Sequence, residues 1–147
     1  MRYTPHKPWQ TPADGEAWFL RMRGFRETGA GLQLAIVDKA SGKAIGLMLV
    51  FNFNEGTGSG EVGYTLAREH WGKGLAKEAL KPFIEFCFKE LGLKRLDAQI
   101  DPRNVASGKV LERLGFKHEG HQRRNHFAKD EISDTGLYGL LVDDPRP

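Results

Sequence analysis

Two periodicities of apolar residues run along the chain, and the points where one gives way to the other divide it into elements. Pro5 and Pro8 make residues 1–10 an irregular N-terminus. Thr11-Pro12-Ala13-Asp14 then has the features of a helix start: a capping hydroxyl, a proline suited to the first helical position, and a carboxylate that can answer the cap. That helix is expected to run to about Arg23, with Trp18, Phe19 and Met22 on its apolar side. From Leu32 to Val37 and from Ala44 to Phe53 the pattern becomes strand-like, and the Ser41-Gly42 turn between them predicts a hairpin. After a Gly-rich turn over 54–60, Glu61 to Leu66 predicts a third strand of the same antiparallel meander.

The helical period returns from about Gly72 to Leu91. Leu75, Ala76, Ala79, Leu80, Phe83, Cys87 and Leu91 fall on one side, while Lys81, Glu85 and Lys89 step by four along the wet one. Pro82, well inside this run, removes one backbone bond and predicts a kink. Arg95 to Ile100 reads as a buried strand. Asn104 caps a shorter helix, Val105 to Leu114, which Gly115 ends. Phe116 to His118 and Gly136 to Val142 read as closing strands joined by a polar loop, with 143–147 as a tail. The element order predicts a single domain over 1–147 of the α/β (α+β) class. Its central sheet should be mixed, mostly antiparallel, and flanked by helices, because the strand-helix-strand unit needs one parallel pair.

Composition adjusts this picture only at its edges. The 147 residues suffice for one core, and the net charge of +3, from 22 basic and 19 acidic residues, suits an anionic ligand. That excess is weak support for nucleic acid, which is not an expected partner. Cys87 is the sole cysteine, so no intrachain disulfide can form, and its apolar setting marks a structural thiol. No apolar run approaches the roughly 20 residues of a membrane helix, and no signal peptide is evident. A cytoplasmic protein without membrane contact is expected.

The candidate chemistry centres on Trp71-Gly72-Lys73-Gly74-Leu75-Ala76, which opens the long helix after a strand and a short polar link. A helix N-terminus presents free N–H groups and partial positive charge to phosphate, and glycines let the backbone approach its oxygens. Two rival phosphate motifs fail. Gly58-Ser59-Gly60-Glu61-Val62-Gly63 matches G-x-G-x-x-G but precedes a strand instead of linking a strand to a helix. A Walker loop needs Ser or Thr after Gly-Lys, whereas Gly74 follows Lys73.

With its neighbours the turn resembles motif A of the GNAT acetyltransferase superfamily. The resemblance takes in Glu61-Val62-Gly63-Tyr64-Thr65-Leu66 and Glu69 to Leu80. Downstream, Asn104-Val105-Ala106-Ser107, Val110 to Lys117 with its Leu114-Gly115-Phe116, and Asp134 to Leu141 are similar to later segments of that family. It covers roughly 30–142, and the closest branch is the Rim-type group. That group acetylates N-terminal amines of ribosomal proteins and includes small-molecule acetylators.

The resemblance implies acetyl-CoA as co-substrate, no metal, and an amine acceptor that is a peptide N-terminus or a small molecule. Backbone amides of Trp71 to Ala76 would wrap the pyrophosphate, with Trp71 standing where the superfamily usually has Gln or Arg. Tyr64, Thr65 and Leu66 would lie along the pantetheine arm, on a strand that splays from its parallel neighbour, Arg95 to Ile100, with the Tyr64 side chain lining the acceptor site instead of titrating. Asn104 would bond the arm, and Ser107 lies one helical turn further on the same face. Glu61 is the candidate base for the amine; a solvated carboxylate at a strand start is the plainer reading. Ser107 is the first candidate to protonate the thiolate and Tyr138 the second, each with an ordinary structural role as the alternative.

One departure stands at the front. Similar enzymes begin with another strand, and here either Met1 to Pro8 supplies a degenerate edge strand or the element is absent. With a shortened N-terminus the acceptor site would be more open, or a second subunit of a homodimer would complete it. His118, His121 and His126 with Glu119 and Asp130 cluster in sequence, but their spacing fits no zinc pattern. They read as a polar loop that, with Gln122-Arg123-Arg124, gates the acceptor site. The alternative function is a catalytically weak CoA-binding sensor or interaction protein of the same fold.

Overall fold

A computed structural model describes residues 29–147; the helix expected over Pro12 to Arg23 and any strand within Met1 to Pro8 lie outside them. The described residues form six strands and two α-helices. In chain order these are β1 (Gly31–Val37), β2 (Ala44–Asn54), β3 (Ser59–Leu66), α1 (Leu75–Lys89), β4 (Arg95–Ile100), α2 (Val105–Arg113), β5 (Lys117–Ala128) and β6 (Glu131–Leu141). One sheet takes all six strands in the order β1-β2-β3-β4-β6-β5. Every neighbouring pair is antiparallel except β3 with β4, which the α1 crossover joins in parallel.

Both helices contribute to one core against one face of the sheet. Leu80, Phe83, Ile84 and Cys87 of α1 and Leu111 of α2 cluster with Val50, Val62, Leu96, Ala98 and Leu140 from four strands. Cys87 is completely buried, and burial pushes its thiol up to about 12, so it stays protonated and inert. A smaller cluster of Ile36, Ile45 and Leu66 takes the side chains of Leu75, Ala76 and Ala79 from the start of α1. The first turn of α1 is therefore pinned to the end of β3. The helix runs on through Pro82 to Lys89.

Three sequence expectations are corrected. First, α1 begins at Leu75, not Gly72, because Gly72 and Gly74 sit in the left-handed region at φ +74° and +75°. Second, the expected polar loop after His118 is mostly strand. β5 and β6 form a long ribbon closed by Lys129 and Asp130, both left-handed at φ +54° and +59° between the paired Ala128 and Glu131. Only Gly136 to Leu141 of β6 pairs with β4, so the outer part of this ribbon projects past the sheet. Third, β4 is buried on one face only: Leu96 and Ala98 join the core, whereas Arg95, Asp97 and Gln99 alternate with them. The Gly58-to-Gly63 segment also has a packing explanation, since a Cβ on Gly60 would meet Val50, Leu93 and Phe53 at 3.0–3.2 Å.

Candidate active site

The parallel pairing of β3 and β4 lasts only four residues, from Ser59 opposite Arg95 to Val62 opposite Ala98. Beyond that point each strand follows its other neighbour. β3 continues to Leu66 against β2, and β4 continues to Ile100 against β6. The two strands thus part as a V, and among the described residues the edge of Gly63 to Leu66 that faces β4 has no partner strand. An unpaired strand edge offers N–H and C=O groups to an extended ligand.

The start of α1 closes one side of this opening. The first helical bond runs from the Glu78 N–H to the Gly74 carbonyl at 3.1 Å, so the amides of Leu75, Ala76 and Lys77 have no carbonyl partner inside the helix. Among the described residues, a Cβ built on Gly72 or Gly74 would meet nothing within 4 Å, and Trp71 to Gly74 are exposed. The turn therefore has the bare, amide-rich surface that suits a phosphate. Leu75 and Ala76 contribute backbone alone, since their side chains pack inward. Trp71 has a different task from its neighbours. Its indole Nε1–H donates to the Leu66 carbonyl at 2.6 Å, and the Arg68 guanidinium lies 5.6 Å from its ring centroid. It ties the turn to the end of β3.

The start of α2 closes the other side. Asn104 accepts the Ser107 N–H at 3.2 Å through its side-chain oxygen and caps the helix, which leaves its Nδ2 donors outside the cap. Ser107 is buried, and its Oγ shares a 2.9 Å hydrogen bond with the Tyr64 hydroxyl of β3. That bond spans the opening from strand to helix. Burial raises the Tyr64 pKa above its ordinary value of 10.0, and the Ser107 bond offsets part of the rise. Tyr138 is not drawn into this pair. It is 9% exposed within the core cluster, beside the ring of His118, and its hydroxyl lies 3.0 Å from where a Cβ on Gly108 would sit. Burial, then the Glu112 charge, raise its pKa.

On the sheet face away from this core, Glu61 and Asp97 stand side by side at the foot of the V. They line a cavity of about 450 Å³ together with Asn52, Arg95, Gln99 and Glu119. Asn52, left-handed at φ +52° where the β2–β3 register shifts, donates from Nδ2 to Glu61 at 3.3 Å. Burial raises the Glu61 pKa above 4.5, the Asn52 bond lowers it, and the charge of Asp97 raises it. Arg95 donates to Asp97 at 2.6 and 2.9 Å and bridges to Glu119 across β6. These bonds raise the guanidinium pKa and hold Glu119 below its ordinary value. Gly139 makes the bridge possible: a Cβ there would fall 2.5 Å from Glu119 Oε1 and 2.6 Å from Arg95 Nη2.

The expected site residues thus divide between two faces. Tyr64, Asn104 and Ser107 meet, Thr65 and Leu66 continue the open edge, and Glu61 belongs to the cavity opposite. The sequence reading missed Asn52, Arg95, Asp97, Gln99 and Glu119. The alternation of Arg95, Asp97 and Gln99 with Leu96, Ala98 and Ile100 was the available signal. The histidines do not gather: His118 lies on Tyr138, His121 pairs with Asp134 at 2.7 Å, and Glu119 is held by Arg95.

This arrangement defines a class of protein: a mixed sheet whose two parallel strands part beside a glycine-rich helix start. The sequence profile of the acetyltransferase (GNAT) domain matches residues 1–117, and the chain belongs to that family. It is 35% identical over 113 residues to the uncharacterized N-acetyltransferase p20 of Bacillus licheniformis, covering 77% of this chain and 64% of that protein. It is 27% identical to the ribosomal protein uS5-alanine N-acetyltransferase of Escherichia coli, over 96% of this chain and 77% of that one. The crystal structure of the ribosomal-protein-S5-alanine acetyltransferase from Vibrio fischeri superposes with a TM-score of 0.85 at 30% identity, covering 99% of this chain and 81% of that one. Matches to several Bacillus relatives span only 46–64% of those proteins' lengths. Among the described residues no helix is long and apolar enough to cross a membrane.

Proposed function

We propose that the chain is an N-acetyltransferase that moves an acetyl group from acetyl-CoA to a primary amine within a ternary complex. The observation that carries this reading is the parting of β3 and β4 after Val62 and Ala98, with Glu61 at its foot and a bare helix N-terminus at its mouth. Acetyl-CoA supplies the acetyl group as an activated thioester. The amides of Gly72 to Ala76 hold its pyrophosphate, with Lys73 adding a point charge. The open edge of Gly63 to Leu66, which includes Tyr64 and Thr65, and the Asn104 amide hold the pantetheine arm.

The acceptor enters from the cavity face. Glu61 takes a proton from the attacking ammonium, directly or through one water, which frees the nitrogen lone pair. The C–N bond then forms; as the tetrahedral intermediate collapses the nitrogen sheds its second proton to water, the C–S bond breaks, and the departing sulfur gains a proton. Ser107, hydrogen-bonded to Tyr64, stands on the helix side of the V to provide it. Tyr138, buried against the same helix, is the second candidate. A raised glutamate pKa suits a base that must later release its proton. The relatives' names support an amine acceptor, and a lone buried thiol is compatible with a reducing, cytoplasmic setting.

The test is calorimetric titration with acetyl-CoA, followed by measurement of free CoA with an amine panel that includes Ala- and Ser-starting peptides. Binding at micromolar concentration with amine-dependent CoA release is expected. Absence of binding at tens of micromolar would falsify the reading, and binding without release from any amine would favour a CoA sensor.

A further inference from the structure

The cavity beside Glu61 has a charge unlike that of the chain around it. The chain carries a net +3. Among the described residues, the cavity is lined by the carboxylates of Glu61, Asp97 and Glu119 against the single guanidinium of Arg95, formally −2. Asn52 and Gln99 add neutral polar groups. Arg95 is committed to Asp97 and Glu119, so it cannot serve as an anion receptor. An acceptor carrying a carboxylate or phosphate would meet like charge here.

Resting on the acetyltransferase reading, we propose that the acceptor is a small dication, a diamine or polyamine whose second ammonium is held by the Asp97–Arg95–Glu119 cluster while the first faces Glu61. The charge count favours two ammonium groups over one. Once Glu61 has taken the proton of the attacking nitrogen, Asp97, Glu119 and Arg95 still leave one negative charge. A second ammonium balances it; the neutral peptide bond that follows the α-amine of an Ala- or Ser-starting peptide does not. Geometry agrees. Glu61 and Asp97 face each other on adjacent strands, and the cluster reaches on across β6. The two ammonium groups are thus separated by one to two strand spacings, roughly 5–10 Å. A chain of about three to seven carbons covers that span, and a cavity near 450 Å³ is in the small-ligand range.

The experiment compares CoA release with 1,4-diaminobutane, n-butylamine and an Ala-starting peptide at saturating acetyl-CoA. The two amines share a four-carbon chain and differ by one ammonium group. The expected kcat/KM for the diamine exceeds that of the monoamine by about 30-fold at low salt, and the ratio shrinks as salt rises. Glu119→Gln, a change at an exposed position that keeps the fold, is expected to lower that ratio about tenfold. Turnover with a ratio near one, or with the peptide ahead of the diamine, overturns the proposal and leaves the acetyltransferase intact. Calorimetry of 1,4-diaminobutane against the protein–CoA complex separates the opposite case. Binding without turnover supports the dication site and overturns the enzyme reading, and neither binding nor turnover overturns both.

Discussion

The two sides of the V are built from different materials. On the mouth side, the open edge of β3 and the amides of residues 72–77 are backbone, shaped by glycine dihedrals and helix termini. On the cavity side, Glu61, Arg95, Asp97 and Glu119 are side chains from three strands, positioned by sheet register and held by ion pairs. Backbone sites tolerate most side-chain changes but not a change of dihedral, whereas side-chain sites lose function atom by atom. On the proposed function, the contrast makes ligand recognition at the mouth generic and recognition in the cavity particular.

The sharpest way to break the mouth is at Gly74. Its φ of +75° is a conformation that costs most L-residues about 1–2 kcal/mol, and among the described residues nothing beyond its chain neighbours lies within 4 Å of a Cβ there. Gly74→Asp places a carboxylate where the phosphates are expected. Calorimetric Kd for acetyl-CoA should weaken by more than about 100-fold, while Gly74→Ala, which brings strain without charge, should weaken it by about tenfold. Equal effects would mean that the turn acts through its shape alone.

Glu61→Gln tests the cavity with the next largest effect. Loss of a positioned base typically costs about 10²–10⁴-fold in rate, so kcat/KM should fall in that range while acetyl-CoA affinity holds. In the unsubstituted protein, kcat/KM should fall on the acid side as Glu61 protonates, with a midpoint above 4.5 because burial raises its pKa. Stability has the opposite dependence. The folded state binds this proton more tightly than the unfolded state, so stability falls as pH rises through the window between the two pKa values. Glu61→Gln should therefore raise Tm above that window and leave it unchanged below. A drop in Tm at neutral pH would mean that the Asn52 bond outweighs the burial cost.

The same contrast decides what could be read before the fold was in view. The meander, α1, β4 and α2 each have one apolar face, and their observed limits lie within about three residues of the expected ones. The mouth was legible because a helix start, two glycines and an Asn cap are local in sequence. The β5–β6 ribbon was not. Its strand β5 is exposed along nearly its whole length, so no alternation marks it, and Lys129-Asp130 closes the turn without the glycine that usually signals one. The cavity was hidden for another reason: positions 52, 61, 95, 97 and 119 meet only through strand order and register.

Gly139→Ala is the gentlest of these tests and the one most specific to the cavity. Gly139 is outside the set of glycines with positive φ, so alanine can adopt its backbone and gains slightly from a less free unfolded chain. The added methyl would collide with Glu119 Oε1 and Arg95 Nη2, which are ends of flexible side chains and can swing aside. Exposed ion pairs of this kind contribute roughly 0–1 kcal/mol, so Tm should move by only a few degrees in either direction. The floor of the cavity, however, would lose its crosslink from β4 to β5. Acceptor KM should rise by about three- to tenfold, with acetyl-CoA Kd unchanged, because nothing at Gly72 to Ala76 or Asn104 touches this bridge. An effect of the same size on both ligands would mean that the two sides of the V are coupled through β4, and that the division between a backbone-built mouth and a side-chain-built cavity does not hold in function.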